Sequence, residues 1–135
     1  MDKVLVDTSA LYALIDRSDD HHAKAVQLLQ SLTQRATELI VPNFILAETH
    51  TIINRRIGPR EALLFLNKTL LDYHIERVTL EDESRAIVLL QGISSSKNYS
   101  YFDAVAAALA QRLAIADVFS FDRHFQRLGL RLVTA

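Results

Sequence analysis

The sequence contains no cysteine, and only 3 glycines and 2 prolines occur among its 135 residues. The absence of cysteine excludes disulfide bonds, thiolate zinc sites and a cysteine nucleophile. A bound metal would therefore need oxygen or imidazole ligands. The scarcity of glycine and proline argues against collagen-like repeats and a turn-rich all-β sandwich. Half of the residues are apolar, which is typical of a globular domain rather than a disordered chain.

Long hydrophobic runs are also missing. The longest uninterrupted apolar stretch, residues 104–110, is far shorter than the roughly 20 residues that a membrane-spanning helix needs. The first residues, Met1-Asp2-Lys3, lack the pattern of a signal peptide. We therefore expect a soluble, cytoplasmic protein that forms a single domain over residues 1–135.

The charges of the chain almost cancel. There are 15 Lys and Arg against 16 Asp and Glu, a net charge of −1 with histidine neutral. A general nucleic-acid coat protein would be basic, so this balance disfavours that class. It leaves room for a local nucleic-acid site.

Short β-branched runs alternate with longer helical patterns along the chain. The pattern predicts strands at residues 3–6, 39–41, 75–78, 118–121 and 130–133. It predicts helices at residues 9–15, 21–33, 43–57, 60–71, 80–93, 100–113 and 123–128, the third of them with Asn43 as N-cap. Apolar strands separated by helices favour a parallel sheet in a three-layer α/β/α sandwich. In such sheets the functional site lies beyond the carboxyl ends of the strands.

Four carboxylates stand at positions that bring them toward this edge. Asp7 follows the first predicted strand and Asp122 follows the fourth. Glu48 lies in the helix after the second strand, and Asp103 lies in the first turn of the helix before the fourth. If the first and fourth strands are neighbours, their ends are roughly 5 Å apart, which would allow Asp7 and Asp122 to share an ion.

The three aspartates also have a simpler interpretation as helix caps. Asp7 and Asp122 each precede a predicted helix, and Asp103 completes a capping box with Ser100. Glu48 is different because it interrupts an apolar stripe and has no basic residue three or four positions away. Its carboxylate needs a partner from elsewhere, either a bound metal or a distant arginine.

Taken together, the four acids are oxygen ligands on separate elements, which is the ligand type that Mg²⁺ and Mn²⁺ prefer. Two serines stand beside them: Ser9 is two residues after Asp7, and Ser120 is two residues before Asp122. Either hydroxyl could hold a carboxylate or a water in place. Ordinary capping and turn hydrogen bonds are the alternative for both.

Candidate substrate contacts are basic and aromatic residues around the Gly58-Pro59 break and just before Asp103. They are Arg55, Arg56, Arg60, Lys97, Tyr99 and Tyr101. Such side chains bind phosphates or stack on bases, although solvated surface charge is the simpler interpretation of any one of them. Three histidines lack the spacing of a metal site and are interpreted as surface or capping residues: His21, His22 and His124.

Four blocks of the sequence resemble the PIN-domain ribonucleases, in particular the VapC-like toxins. They are VLVDTS at 4–9, PNFILAE at 42–48, FDA at 102–104 and VFSFDRHF at 118–125, and together they span essentially the whole chain. Many members of the family have a threonine before the last acid. This chain has Ser120 there.

The resemblance implies a PIN-like fold with strand order 3-2-1-4-5 and a metal-dependent endoribonuclease that leaves 5′-phosphate and 3′-hydroxyl ends. It implies that the ligands of Mg²⁺ or Mn²⁺ are Asp7, Glu48, Asp103 and Asp122. It further implies a homodimer and, for the toxin of a type II toxin-antitoxin system, a cognate antitoxin with a segment that blocks the acidic pocket.

Other α/β proteins fit the sequence less well. A haloacid-dehalogenase-type phosphatase would need a second aspartate where Ser9 stands, and three scattered glycines do not form a P-loop. A receiver-like signalling domain would use Asp7 but would leave Glu48 and Asp103 unexplained. Two alternatives stay open: a catalytically silent PIN-like protein-binding module whose acids are caps, and a housekeeping RNA-processing nuclease.

Overall fold

The computed structural model describes residues 2–93 and 98–134, so Lys97 lies outside the described residues. The strands are β1 (Lys3–Val6), β2 (Glu38–Pro42), β3 (His74–Glu76), β4 (Asp117–Phe119) and β5 (Arg131–Leu132). The helices in these ranges are α1 (Thr8–Ile15), α2 (His22–Gln34), α3 (Asn43–Arg56), α4 (Pro59–Asp72), α5 (Leu80–Gly92), α6 (Tyr101–Arg112) and α7 (His124–Arg127).

The strands form one parallel sheet in the order β3-β2-β1-β4-β5, which confirms the predicted strand order. β1 is central: Leu5 pairs with Ile40 of β2 and with Val118 of β4. Val4, Leu5 and Val6 are all buried. Because successive side chains of a strand point to opposite faces, both faces of the sheet are covered, as the predicted three-layer sandwich requires.

The fourth strand is shorter than predicted, since β4 ends at Phe119 rather than at residue 121. Hydrogen bonds to side chains replace strand pairing beyond that point. The N–H of Phe121 donates to Ser9 Oγ at 3.0 Å, and the N–H of Asp122 donates to Ser120 Oγ at 3.0 Å. Asp122 therefore stands on a loop past the strand end instead of directly after the strand.

The start of α3 also differs from the prediction. Pro42, with φ −59° and ψ 142°, occupies the N-cap position, and Asn43 is the first helical residue. The Asn43 side chain is used elsewhere: its Oδ1 accepts a hydrogen bond of 3.0 Å from the N–H of Val78. The residue thus connects α3 to the segment after β3 instead of capping the helix.

Helix α6 packs against α5 through small side chains. Residues 104–110 are all buried, and five of these seven are alanines, which allow the two helices to approach closely. Arg112 near the end of α6 binds Asp82 of α5, with Nε 2.9 Å from Oδ1. Because Asp103 is in the first turn of α6, this packing fixes where its carboxylate stands. No helix in the described part of the chain is long and apolar enough to cross a membrane.

Candidate active site

A pocket of about 660 Å³ contains all four acids singled out from the sequence. We call it the acidic pocket. Each acid comes from a different element: one follows β1, one is on α3, one is on α6 and one follows β4. They are Asp7, Glu48, Asp103 and Asp122. The order β2-β1-β4 explains the convergence, because elements at the carboxyl ends of adjacent parallel strands meet at one edge of the sheet.

Asp7 is held at the centre of this edge. Its backbone N–H donates to the carbonyl of Phe119 at 3.1 Å, which continues the pairing of β1 with β4 by one residue. Its carboxylate accepts hydrogen bonds at Oδ2 from the hydroxyls of Ser120 at 2.9 Å and Ser9 at 3.1 Å. Asp7 is also the N-cap of α1, accepting from the N–H of Ser9. Asp7 therefore both caps α1 and lines the acidic pocket.

The charge on Asp7 is not neutralised by the ion pairs of the described residues. Burial raises the pKa of the Asp7 carboxyl, against the opposing hydrogen bonds from Ser120, the Thr8 backbone and Ser9. A half-buried carboxylate that has hydroxyl partners and no ion pair among the described residues is a group that a bound metal ion would stabilise.

The two serines connect the loop after β4 to the start of α1. Their hydroxyl oxygens lie 3.1 Å apart, and both donate to Asp7. Each hydroxyl also accepts a backbone N–H from the loop, from Phe121 in the case of Ser9 and from Asp122 in the case of Ser120. Ser120 is 5% exposed. The serines therefore fix the Asp7 carboxylate relative to the backbone that carries Asp122.

Glu48 is anchored by a contact with Thr8 that was not predicted from the sequence. The hydroxyl of Thr8 donates to Glu48 Oε1 at 2.5 Å, joining the start of α1 to α3. Neither partner considered from the sequence, a metal or a distant arginine, is needed to explain this contact. Thr8 follows Asp7 directly, which is a signal that could have drawn attention to it. The Glu48 carboxylate is therefore held at the pocket by a neutral hydroxyl group.

Asp103 and Asp122 both accept backbone hydrogen bonds as well as lining the pocket, but Asp122 is not the helix N-cap that the sequence predicted. Asp103 and Ser100 form the predicted capping box: Asp103 Oδ2 accepts from the N–H of Ser100 at 3.1 Å, and Ser100 Oγ accepts from the N–H of Asp103 at 3.1 Å. Asp122 Oδ1 accepts from the N–H of His124 at 2.9 Å, although Arg123 is the N-cap of α7. A carboxylate has two oxygens with about four acceptor positions, so capping leaves capacity for another ligand.

Among residues 2–93 and 98–134, no three His, Asp or Glu side chains stand close enough together to form a ready-made metal site. The acidic pocket gathers the carboxylates into one cavity, and several of their oxygens are engaged in protein hydrogen bonds. In donor chemistry the set fits a hard divalent cation, because all four side chains offer carboxylate oxygens.

Of the predicted basic contacts, Arg56 lines the acidic pocket. Its guanidinium carbon lies 5.2 Å from the centroid of the Tyr12 ring, a cation–π contact, and the Tyr12 hydroxyl donates to Asp16 Oδ2 at 2.7 Å. Arg55 and Arg60 are exposed and are not among the described residues of the pocket wall.

The predicted aromatic contacts lie beside the acidic pocket rather than in its wall as described. The Tyr99 ring is half-buried, 5.2 Å from the His124 ring, with the Arg127 guanidinium 5.7 Å above it. Tyr101 is exposed at the start of α6. Tyr99 therefore supports His124 and has its ring occupied by neighbours.

Two of the histidines interpreted as surface or capping residues belong to the pocket, so that interpretation was incomplete. His21 and His124 both line it. His124 Nδ1 is buried 2.7 Å from Asp122 Oδ1, but the two atoms are not aligned for a hydrogen bond. His22 has a structural contact, with Nδ1 2.7 Å from the carbonyl of Ala13. The sequence offered no spacing signal for His21, which reaches the pocket only through folding.

Comparison with known proteins agrees with this geometry. The PIN domain model matches residues 4–130. The chain is 31% identical over 127 residues to the 23S rRNA-specific endonuclease VapC20 of Mycobacterium tuberculosis, covering 93% of this chain and 94% of that protein. It is 24% identical to a VapC ribonuclease of Aquifex aeolicus over 130 residues, covering 96% and 94% of the two chains.

Solved structures show the same fold. The crystal structure of Mycobacterium tuberculosis VapC20, a sarcin–ricin-loop-cleaving toxin, superimposes with a TM-score of 0.88 at 30% identity, covering 98% of this chain and 99% of that one. VapBC2 from Rickettsia felis, bound to a DNA fragment from its promoter, matches in fold with a TM-score of 0.76 at 15% identity, covering 97% of both chains. The family model, the curated relatives and the acidic pocket at the carboxyl edge of the sheet together show that this chain belongs to the PIN-domain family, among its VapC-like ribonucleases.

Proposed function

We propose that this VapC-like ribonuclease binds Mg²⁺ or Mn²⁺ in the acidic pocket and hydrolyses RNA phosphodiester bonds there. The ligands are Asp7, Glu48, Asp103 and Asp122. The observation that carries the proposal is the convergence of these four carboxylates, from four separate elements, in one pocket. Carboxylates that share a cavity repel one another, and a divalent cation removes that repulsion.

Neighbouring hydroxyl groups orient two of the four proposed metal ligands. Ser9 and Ser120 orient the half-buried Asp7 carboxylate, and Thr8 orients Glu48. When bound, the ion supplies an activated water for in-line attack and neutralises charge on the phosphoryl oxygens and the leaving group. The acids themselves hold the ion.

Arg56 is the best-supported contact to the RNA backbone. It lines the acidic pocket, and its stacking on Tyr12 holds the guanidinium at the wall. An arginine in this position can donate two hydrogen bonds to one phosphate. We propose Arg55 and Lys97 as further phosphate contacts and Tyr99 as a further RNA contact, each contributing less than Arg56. Ribosomal RNA is the first substrate class to test, because the mycobacterial relative is specific for 23S rRNA.

We also propose a cognate antitoxin as a protein partner, a homodimer as the assembly and the cytoplasm as the compartment. The proposal of an antitoxin is supported by solved neighbours of the same fold that are toxin-antitoxin complexes, from Klebsiella pneumoniae among others. Expression of the chain alone should stop bacterial growth, and the Asp7→Asn variant should not. Arrest of growth by both forms would contradict a toxin that acts through this pocket.

Cleavage of purified 23S rRNA tests the enzymatic proposal directly. The wild type, Asp7→Asn and Asp122→Asn are compared with Mg²⁺, with Mn²⁺ and with EDTA. We expect cleavage by the wild type with a divalent ion, no cleavage in EDTA, and at least a hundredfold loss in both variants. Equal cleavage by all three proteins would reveal a contaminant and favour the protein-binding module.

A further inference from the structure

One part of the acidic pocket wall is aromatic. The rings of His21 and Phe121 both line the pocket and meet edge to face, with centroids 4.4 Å apart and planes at 70°. His21 is exposed, and Phe121 is half-buried. The two residues come from distant parts of the sequence, so the fold builds this aromatic pair next to the carboxylates. We call the two rings the aromatic wall.

The aromatic wall is held in place from both sides. The backbone N–H of Phe121 donates to Ser9 Oγ at 3.0 Å, and its ring rests against Phe119 with centroids 6.3 Å apart. The backbone N–H of His21 donates to Asp19 Oδ1 at 2.8 Å, and its carbonyl accepts from the N–H of Ala25 at 2.8 Å. A surface fixed before a ligand arrives loses little entropy on binding.

The charges next to His21 favour a nucleobase over a phosphate. Asp19 and Asp20 precede it directly and line the same pocket, so this side of the wall repels anions. An uncharged base has a π-face that stacks on an aromatic ring and amino groups that donate to carboxylates. The phosphate contacts fall instead to the two arginines that line the pocket, Arg56 on α3 and Arg123 in the loop before α7.

We infer that His21, supported by Phe121, is a stacking platform for an unpaired nucleobase beside the phosphodiester that is cleaved. The inference rests on the proposed function, since Phe121 directly precedes Asp122 and thereby places the base next to the metal ligands. A base within a duplex is already stacked on its neighbours, so the platform selects single-stranded or looped RNA.

Binding of short, fluorescein-labelled oligoadenylate RNA, measured by fluorescence anisotropy with Mg²⁺, tests the platform. All variants carry Asp103→Asn, which we expect to block hydrolysis and which lies on α6 rather than on the loop of Phe121, so that its effect on metal binding is the same in each. His21→Ala should weaken binding by about tenfold, the typical loss of one base–aromatic stack. His21→Phe should bind within about twofold of its parent, because it keeps an aromatic face and lacks only the ring nitrogens. Matching melting temperatures confirm that the variants are folded.

Unchanged binding by His21→Ala would overturn the inference. So would an equal loss in His21→Phe, because the imidazole would then act by its proton or a hydrogen bond and not by stacking. Since binding does not require hydrolysis, these outcomes are independent of whether the wild type cleaves 23S rRNA. Cleavage without a His21 effect contradicts only the platform, and a His21 effect without cleavage contradicts only the proposed enzyme.

Discussion

Thr8 reaches from the start of α1 to the Glu48 carboxylate, and this hydrogen bond orients the acid on α3 toward the acidic pocket. Thr8→Val keeps the shape of the side chain and removes the donor. We expect it to lower RNA cleavage by about ten- to a hundredfold and to weaken Mn²⁺ binding, as losses of groups that orient metal ligands do. Thr8→Ser keeps the hydroxyl and should behave like the wild type. Thermal melts over a Mn²⁺ titration measure the effect, and overlapping titrations for Thr8→Val and the wild type would contradict it.

Asp7 makes the stability of the metal-free protein depend on pH. Burial raises the pKa of its carboxyl above the ordinary value of 3.8. The folded state then binds more protons than the unfolded state, so the Asp7 contribution to the free energy of unfolding falls as pH rises from 3.8 through the folded pKa.

The Asp7→Asn variant lacks this loss of stability. In EDTA at neutral pH we expect it to melt a few degrees above the wild type, since 1 kcal/mol shifts Tm by roughly 4 °C in a domain of this size. Below the ordinary pKa the two proteins should converge. With Mn²⁺ the order should reverse, because the wild type gains more from the ion. If the variant melts below the wild type in EDTA at pH 7, the charge on Asp7 does not destabilise the metal-free protein and the prediction is wrong.

At the scale of the elements, the ion pair between Asp82 and Arg112 joins α5 to α6 and so supports the helix that carries Asp103. The guanidinium donates from Nε to Oδ1 at 2.9 Å and from a terminal nitrogen to Oδ2 at 3.0 Å, and the Asp82 side chain is 2% exposed. Burial pushes the pKa of Asp82 up, but the hydrogen bonds from Arg112 and Thr79 outweigh it and hold the pKa below 3.8.

A lowered pKa means that Asp82 stabilises the fold above its ordinary pKa and that this contribution is lost as pH falls through the folded pKa. We expect Asp82→Asn to lower the free energy of unfolding by about 2 kcal/mol at pH 7, with a smaller difference below pH 4. The matched control is Glu81→Gln on the same helix, which breaks an exposed 3.6 Å pair with Arg85 and should cost less than about 0.5 kcal/mol. Urea unfolding measures the free energy of unfolding of both variants. Equal decreases would contradict the stabilising role of the Asp82–Arg112 pair.

At the scale of the whole molecule, the net charge of −1 hides an uneven distribution. Setting aside the four proposed metal ligands leaves 15 basic against 12 acidic residues, a balance of +3. An RNA therefore meets a mildly basic body with an acidic pocket, and a bound divalent ion turns the pocket from repulsive to attractive. RNA binding should consequently depend on the metal as well as on salt.

Two neighbouring arginines separate a specific phosphate contact from general charge. Arg56→Ala should weaken RNA binding several-fold and reduce the slope of log K against log salt by about 0.7, the value for one phosphate contact on a single strand. Arg55→Ala removes the same charge one residue away, outside the described pocket wall, and should reduce both quantities less than Arg56→Ala does. Anisotropy titrations from low to high salt compare the two variants. Equal losses of RNA affinity would show that both arginines act only through the overall charge of the protein.

The periodicity of the chain was enough to predict the order of strands and helices, and the resemblance to the family predicted the strand order in the sheet. The predicted boundaries of β4 and the predicted cap of α3 were wrong because side chains form hydrogen bonds that the backbone pattern does not predict. Strand β4 ends early because Ser9 and Ser120 accept N–H groups of the following loop, and Asn43 bonds to Val78 instead of capping α3. Such contacts join residues far apart in sequence, so local patterns do not reveal them.

Sequence alone determined which acids this protein has and on which elements they stand, because hydrophobic period and capping chemistry are local properties of the chain. Only the tertiary structure decided what surrounds them. The parallel order β2-β1-β4 brings Thr8 to Glu48 and His21 to Phe121, over separations of 40 and 100 residues that no local pattern encodes. Packing geometry, rather than residue type, thus turned a set of possible helix caps into an acidic pocket with an aromatic wall.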